Sequence, residues 1–262
     1  MDTQKMSKNV LLFPLARQLA ERRGDYGFDA PYVPITFGVI GIVFLLAGIL
    51  FIWLWQWLVL GVVCLVYAVV MLLSMTSYLY TTRRGKFLVW ARLLSQLRLR
   101  GDEQVLDLGC GRGAALLMAA KLLPKGKATG VDLWKTSDQS GNALDVTRQN
   151  AELEGVAGRV ELHTGDMRQL PFADESFDVV LSSLAIHNIQ DAQGRLQVVN
   201  EAVRVLKPGG RLLLADFRAT QPYPARLREL GMLEVTHRSL GWRFWYGHPW
   251  AATRLVSARK PA

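Results

Sequence analysis

The sequence predicts an α/β domain with a mostly parallel sheet, preceded by a transmembrane helical hairpin. Three observations carry this. Residues 30–82 contain no charged side chain, although 20% of the whole chain is charged. Beyond that run, short apolar β-type segments alternate with helical stretches, the pattern of βαβ units. Between the first such segment and its helix lies VLDLGCGRG, Val105 to Gly113. Its glycines suit a strand that must end and a helix that must begin within a few residues, with backbone N–H groups left open to a ligand.

The uncharged run divides into two spans, Ile35–Trp55 and Trp57–Tyr80, each reaching the ~20 apolar residues that cross a hydrocarbon core. Between them WLWQW, Trp53 to Trp57, reads as a tight turn, since indole rings favour the membrane–water interface. Tyr32, Tyr78 and Tyr80 suit the opposite interface. Arg17, Arg22 and Arg23 precede the first span, Arg83, Arg84 and Lys86 follow the second, and the turn carries no charge. The positive-inside rule then places both flanks in the cytoplasm, making this an integral membrane protein with two spans. A cleaved signal peptide would start nearer the first residue and have a shorter apolar core. The competing readings are one long buried helix of a globular protein, or a hairpin embedded without crossing. Residues 1–34 form a cytoplasmic segment. Within it Val10 to Arg23 has helical apolar spacing interrupted by Pro14, which fits either a surface-lying amphipathic helix or a solvated helix and linker.

Residues 83–262 form the second unit. A leading helix is expected over Phe87–Leu99. Strands are expected at Gln104–Leu108, Ala128–Val131, Arg159–His163, Phe177–Ser182, Arg211–Phe217, Leu233–Leu240 and Thr253–Arg259. Helices are expected at Gly113–Leu123, Ala143–Glu154, Ala192–Leu206 and Pro224–Leu230. Pro208, Gly209 and Gly210 read as a turn that stops the preceding helix. The net charge of +9 is not gathered into any long basic block, so nucleic acid is not an expected partner. The only cysteines, Cys64 and Cys110, have no metal-ligand spacing and form no disulfide framework, so no metal is expected.

Taken alone, Gly109 to Ala114 also fits a dinucleotide fingerprint. Asp107 argues against that reading, because a carboxylate just before the glycines repels a pyrophosphate but suits a ligand bearing a positive amine. Asp132, at the end of the second strand, can accept hydrogen bonds from two ribose hydroxyls in either case.

Four motifs in order then resemble the class I S-adenosylmethionine-dependent methyltransferases. They are VLDLGCGRG, VDL at Val131 to Leu133, GDMRQLPFADESFDVVLSSLAIHNI from Gly165, and RVLKPGGRLLLADF from Arg204. The set looks nearest the branch that methylates quinones, sterols and related small molecules. The resemblance implies a Rossmann-like, seven-stranded, mostly parallel sheet sandwiched by helices, with S-adenosyl-L-methionine as cofactor. It implies that Asp107 and the loop Gly109, Cys110, Gly111 and Gly113 hold the amino-acid part, and that Asp132 takes the ribose. Asp166 would meet the adenine amine and the Met167 backbone would read the ring, while Ser183 and Leu184 would lie near the sulfonium. The segment Leu133–Asn142 is longer than the family's usual turn, which leaves Leu133 and Trp134 both open as the residue packing the adenine. Helix capping by Asp132 and an Asx-turn at Asp166 are the purely structural alternatives.

His187 follows the fourth strand, where the family places acceptor-side residues, and is the candidate general base. The aromatic stretch Gly241 to Trp250 suits an apolar acceptor pocket, the membrane interface or ordinary packing. The function expected is therefore a membrane-anchored methyltransferase with a lipophilic small-molecule or lipid acceptor. The alternatives are a protein methyltransferase located at the membrane, a non-catalytic cofactor-binding module and a nicotinamide enzyme.

Overall fold

The computed structural model describes residues 14–136 and 139–262. Helix α1 spans Tyr32–Trp53 and α2 spans Leu58–Tyr80. They pack as an antiparallel pair whose backbones approach closely at two glycines. A Cβ on Gly48 would stand 3.0 Å from the Gly61 carbonyl oxygen, and one on Gly61 just as near the Gly48 oxygen. Small residues permit such close contact between helix backbones. The WLWQW turn is as short as expected, with Gln56 at a φ of 56° and the Phe51 and Trp57 rings stacked at 5.9 Å. Both helices are long and apolar enough to cross a membrane, and only 17% and 22% of their most apolar windows are buried.

The second helix does not stop at the expected boundary. A π-helical turn at Thr81–Gly85 joins α2 to α3, Lys86–Leu97, so that Leu58–Leu97 is one continuous helix of 40 residues. The sequence offers Gly85 as a break, but Gly85 keeps a helical φ of −59° and the i→i+5 pattern carries the helix through without ending it.

Beyond α3 follow β1 (Gln104–Leu108), α4 (Ala114–Lys121), β2 (Lys127–Asp132), α5 (Leu144–Leu153), β3 (Val160–Thr164), β4 (Phe177–Ser183), α6 (Ala192–Arg204), β5 (Leu206–Asp216), α7 (Tyr223–Glu229), β6 (Leu233–Ser239) and β7 (Arg254–Arg259). They build a seven-stranded sheet of order β3-β2-β1-β4-β5-β7-β6, parallel except for β7, which is antiparallel to β5 and β6. This is the Rossmann-like architecture expected. One face buries Trp90, Leu94, Leu116 and Leu117, and the other buries Val198, Val199, Tyr223 and Leu227. The order reverses between β1 and β4, and the carboxyl ends of these strands open a crevice at that switch point.

Pro208–Gly210 does not act as a helix stop. Helix α6 has already ended at Arg204, and the three residues lie inside β5, between its pairing of Leu206 with Phe177 and of Arg211 with Val179. The extra residues bulge away from β4, and the Gly209 N–H finds the carbonyls of Lys260 and Pro261 instead.

Residues 14–20 are helical, with Pro14 at the first described position, while residues 10–13 of the expected amphipathic segment lie outside the described residues. The chain that follows is strapped onto the α/β unit by Glu154. Its carboxylate accepts from the N–H groups of Arg23 (2.7 Å) and Gly24 (2.9 Å) and from the Tyr26 hydroxyl (2.9 Å), and it pairs with Lys121 at 2.7 Å. Burial pushes this carboxyl up, but the Lys121 ammonium and the backbone donors outweigh it and hold its pKa below the ordinary value. Its stabilising contribution is therefore present above the unfolded pKa, ~4.3, and is lost as pH falls through the lower folded value. Glu154→Gln is expected to release the strap at neutral pH, read as faster tryptic cleavage at Arg22 and Arg23 with the catalytic fragment left intact.

Candidate functional site

The crevice at the switch point is a cavity of about 550 Å³. Its wall includes Asp107, Gly109, Cys110, Gly111, Asp132, Leu133, Asp166, Met167, Ser183 and Leu184. Ten of the residues singled out as cofactor contacts in the sequence therefore converge on one space. Gly113 stands just behind it as the N-cap of α4, at a φ of 87°. A larger cavity of about 840 Å³ lies under the N-terminal helix, against Leu15, Lys121 and Glu154, and none of the motif residues reaches it.

Asp107 sits at the floor of the crevice. It is 1% exposed, and its Oδ1 has no hydrogen-bond partner among the described residues. Burial, and then the nearby Asp132 carboxylate, push its pKa well above the ordinary value. A buried acceptor left unsatisfied costs ~1–3 kcal/mol, and a cationic donor arriving from the cavity relieves that cost. Gly109 gives the ligand room above it. Its φ is 70°, and a Cβ there would fall 2.2 Å from the Ala185 Cβ. The neighbouring Cys110 thiol is buried, and burial pushes its pKa up, so it is an inert wall rather than a nucleophile.

Asp132 organises the loop as well as facing the cavity. Its Oδ2 accepts from the Gly111 N–H at 2.8 Å, and its Oδ1 from the Trp134 N–H at 2.6 Å and the Asn142 amide at 3.2 Å. A carboxylate offers about four acceptor positions, so one stays open and the long Asn142 bond is the one most easily exchanged. That capacity suits a vicinal diol. Of the two candidates Leu133 and Trp134, Leu133 lines the cavity, whereas Trp134 is outside its wall and donates its Nε1–H to Thr164 at 2.8 Å.

Asp166 forms the Asx-turn that was its structural alternative, accepting from the Arg168 N–H at 2.9 Å. The Arg168 guanidinium also pairs with it at 2.6 Å and holds its carboxyl below the usual range. An amine reaching Asp166 must therefore compete with Arg168. Ser183 Oγ accepts from the indole N–H of the buried Trp90 at 2.7 Å, which leaves the serine proton free to donate into the crevice.

His187 is not in the cavity wall; its neighbours Asn188 and Ile189 are. Its Nδ1 lies 2.8 Å from Asp216 Oδ1, out of line for a ring hydrogen bond, and its ring meets Phe217 edge-on at 4.6 Å. Since Nδ1 is inaccessible, the exposed part of this side chain is its other edge.

The aromatic stretch divides. Phe244 and Tyr246 are buried, whereas Trp242 and Trp250 are 53% and 86% exposed. The stretch is fastened to the base of the hairpin: Thr81 Oγ1 donates to the Trp245 carbonyl at 2.6 Å, and Trp242 stacks on Tyr80 at 5.3 Å.

Among the polar wall residues that the sequence did not single out are Asp29, Lys86, Arg112, Gln139 and Asn142. Asp29 is the charged residue just before the uncharged run and Lys86 lies three residues beyond Arg83, which ends it, positions that mark the hairpin but do not announce that the two meet.

Comparison with known proteins agrees with the geometry. A family model described as a methyltransferase domain matches residues 99–243. The chain is similar to 27-O-demethylrifamycin SV methyltransferase of Amycolatopsis mediterranei, at 35% identity over 53% of this chain and 50% of that protein. It is also similar to the ubiquinone/menaquinone biosynthesis C-methyltransferase UbiE of Geotalea daltonii, at 32% identity over 49% of this chain and 52% of that protein. The chain thus spans about half the length of the curated relatives it matches. Among solved structures, a SAM-dependent methyltransferase from Aquifex aeolicus superposes with a TM-score of 0.51 at 19% identity, covering 65% of this chain and 88% of that one. That likeness concerns the fold.

Proposed function

The chain belongs to the methyltransferase-domain family, and from that premise we propose that it is an S-adenosylmethionine-dependent enzyme, held in a membrane by α1 and α2, that methylates a lipophilic small molecule. The observation that carries the cofactor assignment is the buried, unpartnered Asp107 oxygen at the floor of the glycine-lined crevice. It complements an α-ammonium group and would repel the pyrophosphate of a nicotinamide cofactor. Asp107 and the Gly109–Gly111 backbone would hold the amino-acid end, Asp132 the ribose, and Leu133 and Met167 the adenine. Asp166 would meet the adenine amine, and Ser183 and Leu184 would flank the sulfonium.

When bound, the cofactor supplies a methyl group already activated on sulfur. The chain's own residues have to align the acceptor, exclude water and take a proton where the acceptor loses one. We assign that last task to His187, whose buried Nδ1 stands 2.8 Å from Asp216 Oδ1, within reach of an orienting carboxylate although out of line with it, and which directly precedes the wall residues Asn188 and Ile189. His187→Gln is expected to lower kcat by about 100-fold and to remove the acid limb of the pH–rate profile, with cofactor affinity unchanged. Unaltered kcat across the pH range would exclude the assignment.

The membrane reading draws on the charge-free run, the small buried share of both helices and the basic flanks. Trp242 and Trp250, exposed beside the hairpin base, extend the interfacial belt of aromatic rings. Two of the relatives' properties bear on the acceptor: one is named for quinone biosynthesis and one for a rifamycin. An acceptor dissolved in the bilayer accords with a crevice placed directly beyond the hairpin.

The test is to incubate the full chain in lipid nanodiscs with methyl-labelled S-adenosylmethionine and membrane extract. Label extracted into the organic phase is expected. Label confined to precipitated protein would favour a protein acceptor, and cofactor binding without turnover would leave a sensing module.

A further inference from the structure

The feet of the hairpin meet inside the crevice wall. Asp29 comes just before α1 and Lys86 just after the π-helical turn that ends α2, and their side chains form an ion pair of 2.7 Å. Lys86 is almost wholly buried, with a side chain 5% exposed, yet it lines the same cavity as Asp107 and Gly109. Asp29 is saturated. It accepts from Lys86 on both oxygens (2.8 and 2.7 Å), from Gln139 Nε2 at 3.2 Å and from the Tyr246 hydroxyl at 2.9 Å. Lys86 is not: an ammonium carries three N–H donors, and among the described residues its only hydrogen-bond acceptors are the two Asp29 oxygens, with the Phe87 ring centroid 5.4 Å away.

The crevice therefore holds a complementary pair of unmet demands, a buried acceptor at Asp107 and a spare buried donor at Lys86. A zwitterionic α-amino acid answers both, its ammonium at the first and its carboxylate at the second. Of the other cations of the wall, Arg112 has its terminal nitrogens on Asp25 (2.8 Å) and the Ser140 carbonyl (2.9 Å), Arg168 pairs with Asp166, and Lys135 lies exposed at the surface. We propose that Lys86 binds the carboxylate of the amino-acid end of the ligand in this crevice, with Asp29 as its positioning residue, so that the two ends of the hairpin supply a working group of the binding site. This rests on the cofactor reading given above.

The experiment uses the full chain in nanodiscs and measures calorimetric Kd values for S-adenosylmethionine and its decarboxylated analogue, which keeps the ammonium and sulfonium. Lys86→Met is expected to weaken S-adenosylmethionine by about 10- to 100-fold, the worth of a charge-assisted hydrogen bond, and to leave the analogue within about 2-fold. Asp29→Asn should give a smaller loss with the same selectivity, and should add nothing in the Lys86→Met background, because it acts through the lysine. The double variant, in which neither charge is left alone, covers the case in which Lys86→Met fails to fold. Loss of both ligands in equal measure, or of neither, would overturn the assignment while leaving the cofactor reading intact. Failure of the wild-type chain to bind S-adenosylmethionine would instead remove both.

Discussion

Asp107→Asn is expected to weaken S-adenosylmethionine binding by about 100-fold while making the ligand-free protein more stable. The two effects share one cause. The carboxylate is buried beside that of Asp132, with an oxygen that no described residue satisfies, so it is a cost to folding that the ligand's ammonium offsets. Removing the charge forfeits a charge-assisted hydrogen bond of ~2–3 kcal/mol to the ligand. It also returns ~1 kcal/mol to the empty protein, a rise in Tm of about 2–4 °C for a domain of this size. The pH dependence supplies a second readout. Burial raises the folded pKa of Asp107, so the contribution of this group to stability is complete below the unfolded value, ~4, and is lost as pH rises through the folded value. The Asn variant lacks that decline, and its stability should exceed that of the wild type only on the alkaline side. Thermal melts with and without ligand across pH 4–8 check both halves. A variant less stable than the wild type at pH 8 would show that Asp107 has a partner in the fold after all.

Gly109→Ala is expected to damage fold and binding together. The residue adopts a φ of 70°, where a side chain costs ~1–2 kcal/mol. The new methyl would also lie 2.2 Å from Ala185 Cβ, with Met167 Cε at 3.1 Å. Ala185 is buried directly after β4 and cannot move without dragging Ser183 and Leu184 out of the crevice wall. A destabilisation of about 3 kcal/mol follows, or a Tm lower by about 6–12 °C, with cofactor binding lost beyond detection. Ala185→Gly in the same chain relieves the clash but not the dihedral strain, and should recover roughly half the stability. Calorimetric melts of the single and double variants decide this.

Much of this molecule is legible in the sequence because its elements are set by local pattern. The mostly parallel sheet follows from alternating strands and helices, and the crevice from the glycines between Leu108 and Ala114. What escaped was of two kinds. Leu133 and Trp134 could not be ranked, because the direction of each side chain depends on the left-handed turn that Trp134 makes, at a φ of 57°. The loop beyond them gave no sign that Gln139 and Asn142 fold back over the glycines. Asp29 and Lys86 were hidden for another reason. Fifty-six uncharged and flanking residues separate them along the chain, and only the return of the hairpin brings them together. Pro208–Gly210 was misread because its glycines accommodate a bulge as readily as a helix stop, and the pairing partner that decides between them, β4, is remote in sequence.

The unbroken helix from Leu58 to Leu97 has a mechanical meaning. On the transmembrane reading it is a rigid stalk, not a tether, and it gives the catalytic unit a fixed height. Lys86 lies six residues past Tyr80, a rise of ~9 Å along the axis. The headgroup layer on one side of a bilayer is ~5–8 Å deep. The crevice wall is thereby held level with the outer edge of the headgroups and has no freedom to swing toward soluble molecules. On that reading the enzyme meets only molecules that rise to that level, and lengthening or shortening the stalk by one turn should change which ones it meets.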